Sequence, residues 1–193
     1  MLPDPIKKFV DVFSKLPSIG PRQATRLAFY IKGLGTQKVK EIGSVIYGLS
    51  NLATCSQCFR THTGDDTLCS ICSDSSRNKN LVAIVEKETD LLSLEKTKKF
   101  NGQYLVLGEL EKSGELKPEQ KLRLASLKKL KNVEEIILAT NPTVYGDLGA
   151  SLLKKELEGV TKKITRLGRG IPTGGEIEFA DEDTLGSALD KRG

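Results

Sequence analysis

The sequence predicts an α/β fold: a mainly parallel sheet domain, preceded by a helical region and a small cysteine-rich element and followed by a short strand and helix tail. Three observations predict it. Apolar residues recur at helical spacing before residue 53, four cysteines stand in an otherwise polar stretch at 54–80, and strand and helix signals alternate from 81 to 170. Such alternation is the pattern of parallel strands joined through crossover helices.

Residues 1–53 read as three helices. Asp4 is expected to cap the first, with Pro5 at its first helical position. Ile6, Phe9, Val10, Phe13 and Leu16 then repeat at helical spacing until Pro17 stops the run. Ser18-Ile19-Gly20 makes a turn, Pro21 opens a second helix reaching Tyr30 or Ile31, and Gly33 and Gly35 punctuate. Val39, Ile42, Val45, Ile46, Leu49 and Leu52 lie on one face of a third. Residues 54–80 hold too few apolar side chains to build a core unaided. In the third region, 81–170, strands are expected at 81–85, 103–107, 135–139 and 163–167, and helices at 89–98, 118–130 and 148–157. In the tail, 171–193, the alternation Glu176-Ile177-Glu178-Phe179 predicts one more half-exposed strand before a helical end.

Charge is unevenly placed. The chain carries 30 basic and 25 acidic residues, a net charge of +5. Residues 1–53 hold eight of the basic and three of the acidic residues, so the whole excess sits there and the remainder is balanced. A basic segment joined to a neutral body suggests a polyanion-binding module, against the plainer alternative of a solvated lysine-rich helical face. Aromatic residues make up only 5% and tryptophan is absent, which disfavours a row of rings for stacking bases. No apolar run approaches the ~20 residues of a membrane helix. The N-terminal segment mixes acids and lysines where a signal peptide is apolar, so a cytoplasmic protein is expected.

Cys55, Cys58, Cys69 and Cys72 form C-x2-C-x10-C-x2-C, and the chain has no other cysteine. Two such knuckles present four thiolates to one tetrahedral ion, with Zn–S distances of about 2.3 Å. Four sulfurs close the coordination shell, so the predicted zinc is structural, one per chain. His62, between the knuckles, is expected to be a solvent-exposed loop residue and not a ligand.

The segment Leu16-Pro-Ser-Ile-Gly-Pro-Arg-Gln-Ala-Thr-Arg26 joins two helices through a tight turn and resembles the helix-hairpin-helix motif of DNA-repair proteins. Gly20 permits close approach of a phosphate to the backbone, and the helix start that follows is a place for an anion. Arg22 and Arg26, four apart, project from one face and suit neighbouring phosphates. The alternative is an ordinary turn with two exposed arginines.

Taken in order, the hairpin LPSIGPRQATRLAF, the four cysteines, and the runs IVEKETDLLSLEKT, EIILATNPTVYGD and GRGIPTGGEIEFADEDTL resemble the RecR family of bacterial recombination mediators. The resemblance covers nearly the whole chain. It implies a helix-hairpin-helix DNA-binding region at 1–53, a four-cysteine zinc finger at 54–80, a Toprim domain at 81–170, and a tail at 171–193 that makes subunit contacts. It further implies a non-enzymatic factor of recombinational repair, binding single- and double-stranded DNA without regard to sequence. With RecO-like and RecF-like partners, such a factor helps load recombinase on single strands, as a dimer or ring-like tetramer.

Toprim enzymes hold Mg²⁺ with a Glu after the first strand and an acidic pair after a later one. Here Glu86 matches the first, but Tyr145-Gly146-Asp147 stands where the family usually has E-G-E, leaving Asp147 alone. Glu86 and Asp147 are therefore a vestigial or weak Mg²⁺ candidate. The family's tail is described as Walker-B-like, yet no G-x-x-x-x-G-K-[ST] run is present, so phosphate-cradling chemistry is unsupported. Two competing functions remain at this point: a Mg²⁺-dependent Toprim nuclease, and a protein-interaction adaptor without direct DNA contact.

Overall fold

The computed structural model describes residues 2–111, 114–130, 132–190 and 192. The chain divides into two compact units, Met1–Leu52 and Ala53–Gly193.

The first unit is helical, with α1 (Asp4–Phe13), α2 (Pro21–Gly33) and α3 (Thr36–Gly48). The start of α1 differs from expectation. The carbonyl of Pro3 accepts from the Ile6 and Lys7 amides, so Pro3 is the cap, Asp4 is already helical, and its carboxylate pairs with Lys7 at 3.1 Å. α1 also ends four residues before Pro17. Lys15 and Leu16 donate to Val12 and Phe13, a tight final turn that closes ahead of the residue a proline forbids from helix. Gly20 caps α2, Pro21 fills its first position, and Gln23 Oε1 accepts from the Gly20 amide at 3.1 Å. Phe9 stacks on Phe13, with centroids 3.8 Å apart. Among the described residues of this unit only Ala24 and Ala28 are fully buried, while Val45 and Tyr47 are 65% and 74% exposed.

The second unit is the expected α/β body. β1 (Ala53–Thr54) and β2 (Thr61–His62) pair antiparallel, and α4 (Ser70–Ser73) follows. β3 (Asn78–Val85), α5 (Glu88–Lys96), β4 (Gly102–Val106), α6 (Pro118–Lys128), β5 (Glu135–Ala139), α7 (Val144–Glu156) and β6 (Lys163–Arg166) then alternate. The four long strands form a parallel sheet in the order β4-β3-β5-β6. Side chains alternate across its faces. Val82, Ile84, Leu105, Ile136 and Leu138 enter one core with Leu124, Leu127, Leu153 and Leu157. Ala83, Val85, Tyr104, Val106 and Ala139 enter another with Leu91 and all four cysteines. The sheet thus supplies the apolar surface that the cysteine-rich stretch lacks.

Glycines mark two close approaches. A side chain at Gly102 would meet the Leu81 carbonyl and the Phe100 ring at 2.5 Å, and one at Gly146 would meet the Asn141 carbonyl. The tail departs from its predicted strand. Ile177–Phe179 is a single 3-10 turn, with Phe179 and Ala180 donating to Glu176 and Ile177. Among the described residues no strand pairs with that alternation, and the backbone satisfies itself locally. Ile177 and Phe179 stand 68% and 80% exposed. α8 (Glu182–Asp190) closes the chain, its start held by the Asp181 carboxylate, which accepts from the Thr184 amide and hydroxyl.

Candidate functional site

The four cysteine sulfurs lie within 4.8 Å of one another and all four residues are buried. Local backbone geometry brings them together. The Cys55 amide donates to Arg60 and the Phe59 amide to Cys55, which folds the first knuckle, with Phe59 at positive φ. The Cys69 amide reaches the Cys55 sulfur at 3.4 Å and joins the second knuckle to it. Cys58 and Cys69 sulfurs are 3.5 Å apart, near the ~3.8 Å edge of a tetrahedron whose arms are about 2.3 Å. The donor set fits a soft four-coordinate cation.

Electrostatics agree with that fit. Hydrogen bonding from Cys72 holds the Cys58 thiol down to about 5, whereas that same bond and burial push Cys72 up, and burial pushes Cys69 up. A central cation is the counter-charge that lets thiols gathered this closely ionise together. His62 stands apart from the sulfurs. It is half-buried in β2 and not an exposed loop residue; its Nδ1 lies 3.2 Å from the Thr63 carbonyl, and its Nε2 is buried with no hydrogen-bond partner.

The knuckles are fastened to the sheet. The Val106 amide at the edge of β4 donates to the Cys58 carbonyl at 2.8 Å. Gln57 meets Gln103 at 2.5 Å, the Thr61 amide donates to Glu88 at 2.9 Å, and the Arg123 guanidinium lies 5.2 Å over the Phe59 ring. Just beyond, Arg77 forks onto Glu95, which also accepts from the Tyr104 hydroxyl at 2.8 Å. The sequence reading missed these anchors, because each joins segments between 9 and 64 residues apart in chain position.

In the helical unit, Arg22 and Arg26 are both exposed on α2, one turn apart, and no ion pair among the described residues engages either. Gly20 has an ordinary extended backbone, and its amide is taken by Gln23. Pro21 has no N–H to offer. An anion at this turn therefore depends on the arginines more than on the helix start.

Glu86 is nearly buried at the end of β3. It accepts from the Asn141 amide at 3.0 Å, the Asn141 side chain at 3.3 Å and the Leu110 amide at 3.4 Å. Asp147, in the first turn of α7, is gripped by Arg169 and by Arg166, the latter at 2.6 Å. Those guanidiniums hold its carboxyl below the usual carboxylate range. The clamp borders a cavity of about 390 Å³ lined also by Thr140, Thr143 and Asp181. Each of the two acids is thus engaged by the protein itself. The arginines of the clamp lie in the Arg-Leu-Gly-Arg run that ends β6 and continues beyond it, a run to whose arginines the sequence analysis assigned no role.

Comparison with known proteins places these parts. Residues 80–168 match the Toprim domain family, and residues 170–192 match the family described as RecR, C-terminal. The chain is 37% identical over 195 aligned residues to the recombination protein RecR of Herpetosiphon aurantiacus, covering 98% of this chain and 94% of that protein.

Proposed function

Because the chain belongs to the RecR family and so has a role in recombinational repair, we propose that it acts there as a non-enzymatic, DNA-binding mediator. It holds single- or double-stranded DNA through the phosphate backbone and, with RecO-like and RecF-like partners, helps load recombinase on single strands. The observation that carries this reading is the exposed pair Arg22 and Arg26 in a unit that holds the chain's whole charge excess. One structural zinc per chain, held by Cys55, Cys58, Cys69 and Cys72, fixes the knuckles on the sheet edge and supplies no open coordination position for chemistry.

A nuclease reading needs Glu86 and Asp147 to share Mg²⁺. The first is occupied by three N–H donors and the second by two guanidiniums, which favours a mediator over a Toprim enzyme. Self-association into a dimer or tetramer fits the thin core of the helical unit and the exposed Ile177 and Phe179 of the tail. It also makes several weak phosphate contacts act together.

The test is fluorescence anisotropy of labelled DNA, single- and double-stranded, across a salt series with Mg²⁺ present. Wild type binds with affinity falling steeply in salt, Arg22→Ala/Arg26→Ala loses most of the binding, and the DNA stays intact. Wild-type protein that leaves DNA unbound at concentrations high enough for assembly makes the adaptor the better account. Shortened DNA restores the nuclease.

A further inference from the structure

The second unit has balanced charge in sequence, and its topology unmixes that charge. All four long strands are parallel, so α5, α6 and α7 each end at the edge where the strands begin. Three connections deliver lysines there: Lys96, Lys98 and Lys99 ahead of β4, Lys128 and Lys129 ahead of β5, and Lys154, Lys155 and Lys162 ahead of β6, with Lys163 as its first residue. Lys79, at the start of β3, adds a tenth position. At the opposite edge, Glu86, Glu88, Asp90, Glu109, Glu111, Glu115, Glu119 and Asp147 follow the strand ends and outnumber the cations Lys87, Lys117, Arg166 and Arg169 among them.

Lysines in a last helical turn complement the helix dipole, and that accounts for Lys96, Lys128, Lys154 and Lys155. It does not account for Lys79, Lys98, Lys99 and Lys162, which lie beyond the helices and are exposed. Ion pairs at this edge engage four of its acids, since Arg77 takes Asp74 and Glu95, Lys128 takes Glu156, and Lys163 takes Glu135, while Glu134 and Glu158 stand exposed among the lysines, which outnumber them. Of the ion pairs among the described residues, none engages Lys79, Lys98, Lys99, Lys129 or Lys162.

We infer that the strand-start edge of the parallel sheet is a second polyanion surface, separate in sequence from the hairpin, and that it takes the sugar-phosphate backbone of DNA. The inference rests on the mediator reading for the identity of the polyanion. Geometry favours a nucleic-acid backbone over an acidic peptide segment. The lysines are distributed over strands spaced about 4.8 Å apart, a width of roughly 14 Å from β4 to β6, which suits repeated phosphates along a strand. The cations are compact ammonium groups on flexible stems, suited to contacts that ignore base identity.

The test uses the full-length protein, with Lys98→Glu/Lys99→Glu/Lys129→Glu and its neutral Lys→Gln counterpart. Each is measured beside Arg22→Ala/Arg26→Ala by anisotropy on single- and double-stranded DNA, with circular dichroism, zinc content and light scattering confirming an unchanged fold and assembly. The expected result is an affinity about tenfold or more below wild type in ~0.1 M salt, and a log–log salt slope smaller by about two, since each lost phosphate contact removes roughly 0.7–0.9. The Gln form shows the same direction with a smaller change. Wild-type affinity and slope in both lysine variants, while the hairpin variant fails, overturns the second surface and leaves the mediator reading standing. Failure of wild type itself to bind overturns both. Poly-glutamate that competes as well as DNA of equal charge overturns the choice of nucleic acid.

Discussion

Glu95 holds three groups in place at once. It accepts from both terminal nitrogens of Arg77 and from the Tyr104 hydroxyl, while Arg77 also donates to the Gly102 carbonyl. The link ties the segment after the second knuckle to α5 and β4. Hydrogen bonding from Arg77 lowers the Glu95 carboxyl from its ordinary 4.5. A carboxylate whose folded value is depressed stabilises the fold above its unfolded value, and that contribution fades as pH falls through the folded one. Glu95→Gln is therefore expected to cost about 1.5–3 kcal/mol at neutral pH, the range for hydrogen bonds to charged groups. The gap between variant and wild type should close as pH drops below 4.5, as read by urea denaturation at stepped pH. A gap of constant size down to the acid limb would assign the loss to packing instead. Asp147 illustrates a different residue-scale point. Its neighbours in sequence mark it as one half of a broken acidic pair, yet its partners Arg166 and Arg169 arrive from a strand and a turn about twenty residues later. No local pattern encodes that meeting; a crossover connection makes it.

The cysteine element serves as the cover of a sheet edge. With the Cys58 carbonyl on the Val106 amide and Phe59 under Arg123, the knuckles occupy the side of β4 that faces away from β3. Exposed strand edges invite pairing with foreign chains, and covering one with a loop is a standard remedy. Metal analysis should return one zinc per chain. Chelation should raise hydrogen exchange at the Val106 amide and protease cleavage within 54–75, while the β3–β5 ladder keeps its protection. Unchanged exchange at Val106 after full metal removal would show that the loop holds its place without a cation. Elements were legible in proportion to how locally they are determined. The strand at 135–139 matches its reading to the residue, and α6 begins at Pro118 as read. α7 begins at Val144 and not 148, because Thr143 caps it and Gly146 sits inside its first turn, where a helical reading by apolar spacing finds nothing periodic. The tail turn at 177–179 was misread as a strand since alternation specifies a strand only where an edge awaits it.

At the scale of the whole molecule, the α/β architecture was readable from alternation alone, whereas the order β4-β3-β5-β6 and the sorting of lysines to one edge became visible only in the folded chain. The helical unit, by itself, leaves Val45, Tyr47 and Leu49 more than 60% exposed. Apolar exposure of this kind marks an association surface. Tyr47→Asp/Leu49→Asp is expected to lower the molar mass seen by light scattering toward that of one 21.1 kDa chain. An unchanged mass would move the self-contact to another surface, such as the tail. The strand order has a further meaning for a chain emerging from its N-terminus. The cysteine loop is synthesised before any long strand, so the outer side of β4 is closed as soon as β4 joins β3. β5 then finds one open side, that of β3, and β6 finds one, that of β5. After β4, each strand taken in chain order thus has a single open edge to join, that of the strand beside which it ends.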